Sequence, residues 1–187
     1  MSLLFSEIYQ SYYKKIYNLA LNYVQHTEDA EEVTQDVFLK IYDEINQFKG
    51  DANMGTWVMR IAINKSLDFL RHKNRVKRKS LLISFFSNKS EWQGALEIPD
   101  FSHPGIAEED QKDSKILFGA LNVLPDNQRT AFILTFIEEI PQKEVTDIME
   151  LSSVKALESL LQRAKQNLRK MLEKEYNMQK TKNTFHF

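Results

Sequence analysis

The chain has 187 residues, 42% of them apolar, and a formal net charge of −1. That length suits one or two small domains with a real core. It carries no cysteine, which excludes disulfides, thiolate metal sites and cysteine nucleophiles and suits a reducing cytoplasm. Residues 1–11 are polar and aromatic rather than basic and then apolar, so no signal peptide is expected. No apolar run approaches the ~20 residues of a membrane span, so no stable membrane insertion is expected either. Five Gly and four Pro, with few alternating β-branched runs, predict an all-α protein.

The first element is an amphipathic helix. Phe5, Ile8, Tyr9, Tyr12, Ile16, Leu19, Ala20, Tyr23 and Val24 recur at three- and four-residue spacing, a stripe that belongs in a core. Thr27 is expected to cap the second helix, with Glu28 and Asp29 in its first turn, where acids suit the helix dipole. Ala30, Val33, Val37, Ile41 and Ile45 form its apolar stripe. From Glu28 to Ile45 seven acids face one lysine. A solvated face would explain the acids alone. Phe38, Leu39 and Tyr42 widen the apolar surface beyond the stripe, and acid beside surplus apolar surface suits docking on a basic partner.

Gly50 and Gly55 bracket a short loop, and a third helix is expected to start near Thr56. Trp57, Val58, Ile61, Ala62, Leu67 and Leu70 can face a core, with Trp57 as well suited to a base contact. From Arg60 to Lys79 the chain carries eight Lys or Arg against one acid. Charge in this near-neutral chain is therefore sorted. A cationic helix with aromatic residues just upstream is what an opened nucleic-acid strand requires, because cations track phosphates and flat rings receive unstacked bases. Asn64, a poor helix former mid-helix, reads as a bend or a polar reader.

Residues 80–113 break the period with Ser, Asn, Pro and Gly and read as a linker. From Glu91 to Asp113 seven acids face one lysine. Its apolar residues, such as Leu81, Phe85, Phe86 and Trp92, are too many for a freely solvated tether. Helices follow at Ser114–Leu124 and from Pro125, expected at the first helical position, where its missing N–H costs nothing. Pro141 restarts the chain. Leu151-Ser152-Ser153 is expected to form a turn with a serine cap, before a last helix with Leu157, Leu161, Ala164, Leu168 and Met171 on one face. Two helices joined by a tight turn, the second with a basic flank, make a helix-turn-helix. Residues 175–187 read as a polar, frayed tail.

Catalysis has little support. The four His are scattered, with no phosphate loop, no nucleophile elbow and no metal-ligand spacing, so neither a cofactor nor a metal is expected and the chain reads as a binding protein rather than an enzyme.

Several collinear segments carry a resemblance. DAEEVTQDVFLKIY, then Phe48, Gly50, TWVMRIAIN and LDFLRHKNR, then LNVLPDNQRTAFIL and EVTDIMELSSVKALESLLQRAKQNLRK resemble a bacterial sigma factor of the sigma-70 family, in its small extracytoplasmic-function (ECF) group. The resemblance covers about Phe5 to Leu172. It implies sigma region 2 over 1–79, an acidic linker over 80–113, a region 4 helix-turn-helix over 114–174 and a tail over 175–187. It implies a cytoplasmic promoter-specificity subunit that binds core RNA polymerase, recognises the −10 and −35 elements and helps open promoter DNA. Asp29, Glu32, Val33, Asp36, Phe38 and Leu39 would dock on polymerase. Phe48, Trp57, Arg60, Asn64, Lys65, Arg71, Lys73 and Arg75 would meet the −10 strand, with Phe48 and Asn64 bordering a pocket for a flipped base. Ser153, Lys155, Ser159, Arg163 and Lys165 would enter the major groove at −35. The linker would thread near the polymerase active site and RNA exit path, and an anti-sigma factor would clamp both domains. Glu158 and Gln162 depart from the family pattern, and a carboxylate near phosphate is repelled unless it accepts from a cytosine amine. A free-standing helix-turn-helix repressor is the alternative. The long linker and single reading module weigh against it, because such repressors usually pair two identical readers.

Overall fold

A computed structural model describes residues 3–48, 50, 53–87 and 111–184. Most of the expected linker, 88–110, and the last residues of the tail lie outside them, as do the side chains of Lys77, Arg78 and Lys79. All the elements among the described residues are helical, and they form two units, described separately below.

The N-terminal unit is a bundle of α1 (Leu3–Val24), α2 (Thr27–Glu44) and α3 (Met54–Ser87), with a single 3-10 turn at Ile45–Gln47 after α2. Each helix packs on the other two. The apolar stripes explain why. Ile16, Leu19, Ala20 and Tyr23 of α1 meet Val33, Val37 and Ile41 of α2 and Val58 and Ala62 of α3, all of them fully buried. Each large side chain taken from water in this way contributes roughly 1.5–3 kcal/mol. Two hydroxyls enter the core without orphaned hydrogens, because Thr34 Oγ1 donates to Ala30 O at 2.6 Å and Ser66 Oγ to Ala62 O at 2.8 Å.

The caps differ from expectation. Gln25 takes the left-handed conformation (φ 59°) after α1, and its N–H donates to Leu21 O at 2.8 Å. His26, not Thr27, is the N-cap of α2, in extended conformation and with no side-chain capping bond. Thr27 is already helical and donates its hydroxyl to Glu28 Oε2 at 2.8 Å. That bond first, then the backbone N–H of Glu28 and the neighbouring His26, holds the Glu28 carboxyl below its ordinary value. Asn53, unremarked in the sequence, caps α3, since Gly55 N–H donates to its Oδ1 at 2.8 Å and Trp57 N–H to its backbone O at 3.0 Å. The helix therefore starts two residues before Thr56. It also runs past Lys79, where the linker was expected, to Ser87.

The C-terminal unit comprises α4 (Gln111–Val123), α5 (Asp126–Phe132), a π turn (Ile133–Ile137), α6 (Gln142–Ile148) and α7 (Val154–Thr184). Pro125 and Pro141 are N-caps rather than first helical residues. Both hold ψ near the extended region, and each carbonyl accepts the first helical N–H at 3.0 Å, from Arg129 and Val145. The π turn ends where Glu138 N–H reaches Ile133 O at 2.9 Å, and Glu139 turns the chain with φ 52°. Arg129 is buried. Its Nη2 faces Asn122 O and Leu124 O at 3.4 Å and Asp126 Oδ1 at 3.2 Å, closing the end of α4 against the start of α5. α4, α5 and α6 all pack on α7, around Leu121, Leu134, Leu157 and Ala164. Asn167 Nδ2 donates to Gln128 Oε1 at 2.9 Å and fixes α7 against α5. As expected, Ser153 caps α7, its Oγ accepting from Ala156 N–H at 3.3 Å. The helix continues to Thr184 instead of fraying near Lys174.

Candidate nucleic-acid interface

In α3 the buried residues are Thr56, Val58, Met59, Ile61, Ala62, Ile63, Ser66 and Leu67. A helix turns about 100° per residue, so the opposite face carries Trp57, Arg60, Asn64, Asp68, Arg71 and Arg75. Their spacings of 3, 4, 4, 3 and 4 keep them in one row. Asn64, Arg71 and Arg75 are exposed, and Trp57 and Arg60 are half-buried. The Asn64 side chain makes no hydrogen bond to any other described residue. At the head of this row the Phe48 and Trp57 rings lie 5.2 Å apart, tilted by 43°. Five of the eight expected −10 contacts thus share one open face, and Phe48 abuts it through Trp57.

The remaining two, Lys65 and Lys73, turn toward α2. Lys65 Nζ stands 3.7 Å from Asp36 Oδ2, and Lys73 Nζ is paired with Asp29 Oδ2. Asp29 and Asp36 are themselves expected polymerase contacts. Arg71 Nη1 pairs with Asp68 Oδ1 at 2.9 Å on the open face.

On α2 the structure divides the six expected docking residues. Val33 and Phe38 are core residues, at 1% and 6% exposure, and cannot meet a partner as the molecule stands. Phe38 is enclosed by rings from α1, with centroids 4.6 Å from Tyr9 and 6.3 Å from Phe5. Asp29 is only 19% exposed at its side chain. Glu32, Asp36 and Leu39 stay outside, with Leu39 at 64%. Tyr42, read from the sequence as surplus apolar surface, is exposed as well, and so are Tyr9, expected in the core, and Tyr13, left unassigned.

In the C-terminal unit, α6, the turn through Glu150 (φ 53°) and α7 make the helix-turn-helix. Leu157, Leu161, Ala164 and Leu168 are buried, so Lys155, Glu158, Ser159, Gln162, Arg163 and Gln166 form the outer surface, all exposed. Ser159 Oγ donates to Lys155 O at 2.9 Å, and Arg163 Nε to Ser159 O at 3.1 Å. Lys165 is exposed too, but its ammonium is turned to a ring. Its Nζ lies 4.4 Å from the Phe136 ring centroid, beside an apolar groove between Leu117, Phe132, Leu168 and Leu172. Among the described residues, no group of His, Asp and Glu could hold a metal ion, and no helix is long and apolar enough to cross a membrane.

A cationic helix with a ring pair at its head, and a separate helix-turn-helix, define a helical protein that handles DNA. The model of sigma-70 region 2 matches residues 8–76, and that of sigma-70 region 4 matches residues 114–168. The ECF RNA polymerase sigma factor SigM of Bacillus subtilis is 30% identical over 172 residues, covering 91% of this chain and 96% of SigM. SigW of the same organism is 26% identical over 172 residues, 90% of this chain and 88% of SigW. The fold is shared with the sigma factor RpoE of Bartonella quintana, solved in complex with the anti-sigma factor NepR: TM-score 0.58, 18% identity, 90% of this chain and 96% of that one. The chain belongs to the ECF group of the sigma-70 family, the promoter-specificity subunits of RNA polymerase. The free-standing repressor is not favoured, since the likeness runs through both regions.

Proposed function

We propose that this sigma factor divides its work between the two units. Residues 1–79 act as region 2, which docks on core RNA polymerase and captures the −10 strand. Residues 114–174 act as region 4, which reads −35, and the acidic segment 80–113 joins them. The observation that carries this reading is the open row on α3, which sets Trp57, Asn64 and three arginines on one face with Phe48 at its head. Arg60, Arg71 and Arg75 hold phosphates of the non-template strand. Asn64 has free donor and acceptor groups for the edge of an extruded base, and the Phe48–Trp57 pair offers it an aromatic wall. Unstacking a base costs a few kcal/mol, and stacking with edge hydrogen bonds offsets that cost.

Polymerase docking falls to Glu32, Asp36 and Leu39 rather than the buried Val33 and Phe38. An exposed leucine flanked by acids suits a partner that is basic around an apolar contact. Lys65 and Lys73 hold α2 and α3 together and contact DNA only secondarily. The chain contributes binding energy and leaves bond-making to polymerase, so it is no enzyme. It works in the cytoplasm, where promoter DNA lies, and an anti-sigma factor is its natural regulator, as NepR partners RpoE. Run-off transcription tests the reading. Purified chain plus core polymerase is expected to start transcripts from a genomic promoter pool that core alone does not start. No chain-dependent transcript from any promoter would refute it.

A further inference from the structure

Of the five residues that the family pattern nominates for −35 readout, Ser153, Ser159 and Lys165 have side chains engaged within the protein, and Arg163 is engaged at Nε. Ser153 Oγ caps α7. The Ser159 hydroxyl hydrogen goes to Lys155 O, and the Arg163 Nε hydrogen goes to Ser159 O. Lys165 lies over Phe136. On the same outer surface Glu158 and Gln162 are exposed, and their side chains make no hydrogen bond or ion pair to any other described residue. They stand four residues apart on one face. Four residues advance about 6 Å along a helix, roughly two base-pair steps at 3.4 Å each.

We infer that Glu158 and Gln162 are the sequence-determining residues of region 4, Glu158 selecting cytosine and Gln162 selecting adenine one or two base pairs away. This rests on region 4 reading −35. A carboxylate can only accept, so it matches the cytosine N4 amine and is repelled by the O6 and N7 of guanine and the O4 of thymine. A Gln amide both donates and accepts, and so matches N6 and N7 of adenine as a bidentate pair. Lys155, one turn before Glu158, and Arg163, beside Gln162, supply the positive charge that lets a carboxylate approach the groove between phosphates. The serines and arginine then position the helix on the backbone, which fixes register without choosing sequence.

The test is transcription by the full chain with core polymerase of its own organism, from a promoter library randomised across the −35 element, with the active templates sequenced. Wild type is expected to enrich one cytosine and one adenine, each roughly tenfold over the alternatives. Glu158→Gln is expected to lose the cytosine preference and accept adenine there. Gln162→Glu is expected to make the reverse exchange at the second position, with other positions unchanged. If both variants keep the wild-type ranking, or merely lose activity evenly on all templates, the inference is overturned. A wild type that transcribes with no −35 preference also overturns it but leaves the sigma role standing. A wild type that transcribes nothing removes both.

Discussion

Lys73 of α3 donates from Nζ to Asp29 Oδ2 of α2, across 44 residues of chain. The pair joins one residue expected to hold DNA to another expected to hold polymerase. Because Asp29 is mostly shielded, at 19% side-chain exposure, the bond is part of the bundle. Asp29 also sits in the first turn of α2, where a negative charge is favourable. A double-mutant cycle with Asp29→Asn and Lys73→Met is expected to give a coupling of about 0.5–1 kcal/mol in urea unfolding, weakening with salt. Zero coupling would mean that the two charges are held independently.

Leu39 and its neighbour Phe38 should respond in opposite ways. Phe38→Ala removes a ring enclosed by Phe5 and Tyr9, and the expected loss of stability is about 3–5 kcal/mol. Leu39→Ser changes an exposed side chain, so stability should stay within about 0.5 kcal/mol. Its affinity for core polymerase should fall at least several-fold, as read by competition with a labelled sigma factor. Full affinity in Leu39→Ser would remove this strip from the docking surface.

Asn64→Ala separates readout from grip. The Asn64 side chain is exposed and makes no hydrogen bond within the described protein, so the fold should not notice its loss. The expected change is in preference among −10 sequences, measured by transcription from templates varied at each position. An equal fall on every template would make Asn64 a general strand contact.

Arg129 carries a different expectation. It is buried and its guanidinium meets Asn122 O, Leu124 O and Asp126. Arg129→Met leaves those carbonyls buried without that donor, at about 1–3 kcal/mol. Unfolding followed at the C-terminal unit should report that loss, while unfolding of the N-terminal unit stays unchanged.

Apolar periodicity made much of this legible in advance. Leu157, Leu161, Ala164 and Leu168 announce the buried side of α7 though not its length, and the Leu151-Ser152-Ser153 turn announces a serine cap. Charge sorting along α3 announced that the helix was cationic. It could not say which cations face away from α2, because that depends on the angle at which α3 meets α2. Lys65 and Lys73 turned toward α2 for that reason. Val33 belonged to the α2 core stripe and Phe38 was counted as surplus apolar surface, but only the position of α1 shows that both are enclosed. Asn53 precedes the α3 period in a glycine-flanked loop, so its capping role appears only once the backbone is placed. The π turn at Ile133–Ile137 leaves the apolar pattern continuous and has no sequence mark.

The account depends most on the open face of α3 holding a separated strand. Permanganate reactivity of unpaired thymines at the −10 element measures that directly, with core polymerase and either wild type or the Arg60→Ala, Arg71→Ala, Arg75→Ala variant. The account predicts strong reactivity with wild type and a loss of at least tenfold with the triple variant, while polymerase binding is retained. Undiminished reactivity in the triple variant would contradict it.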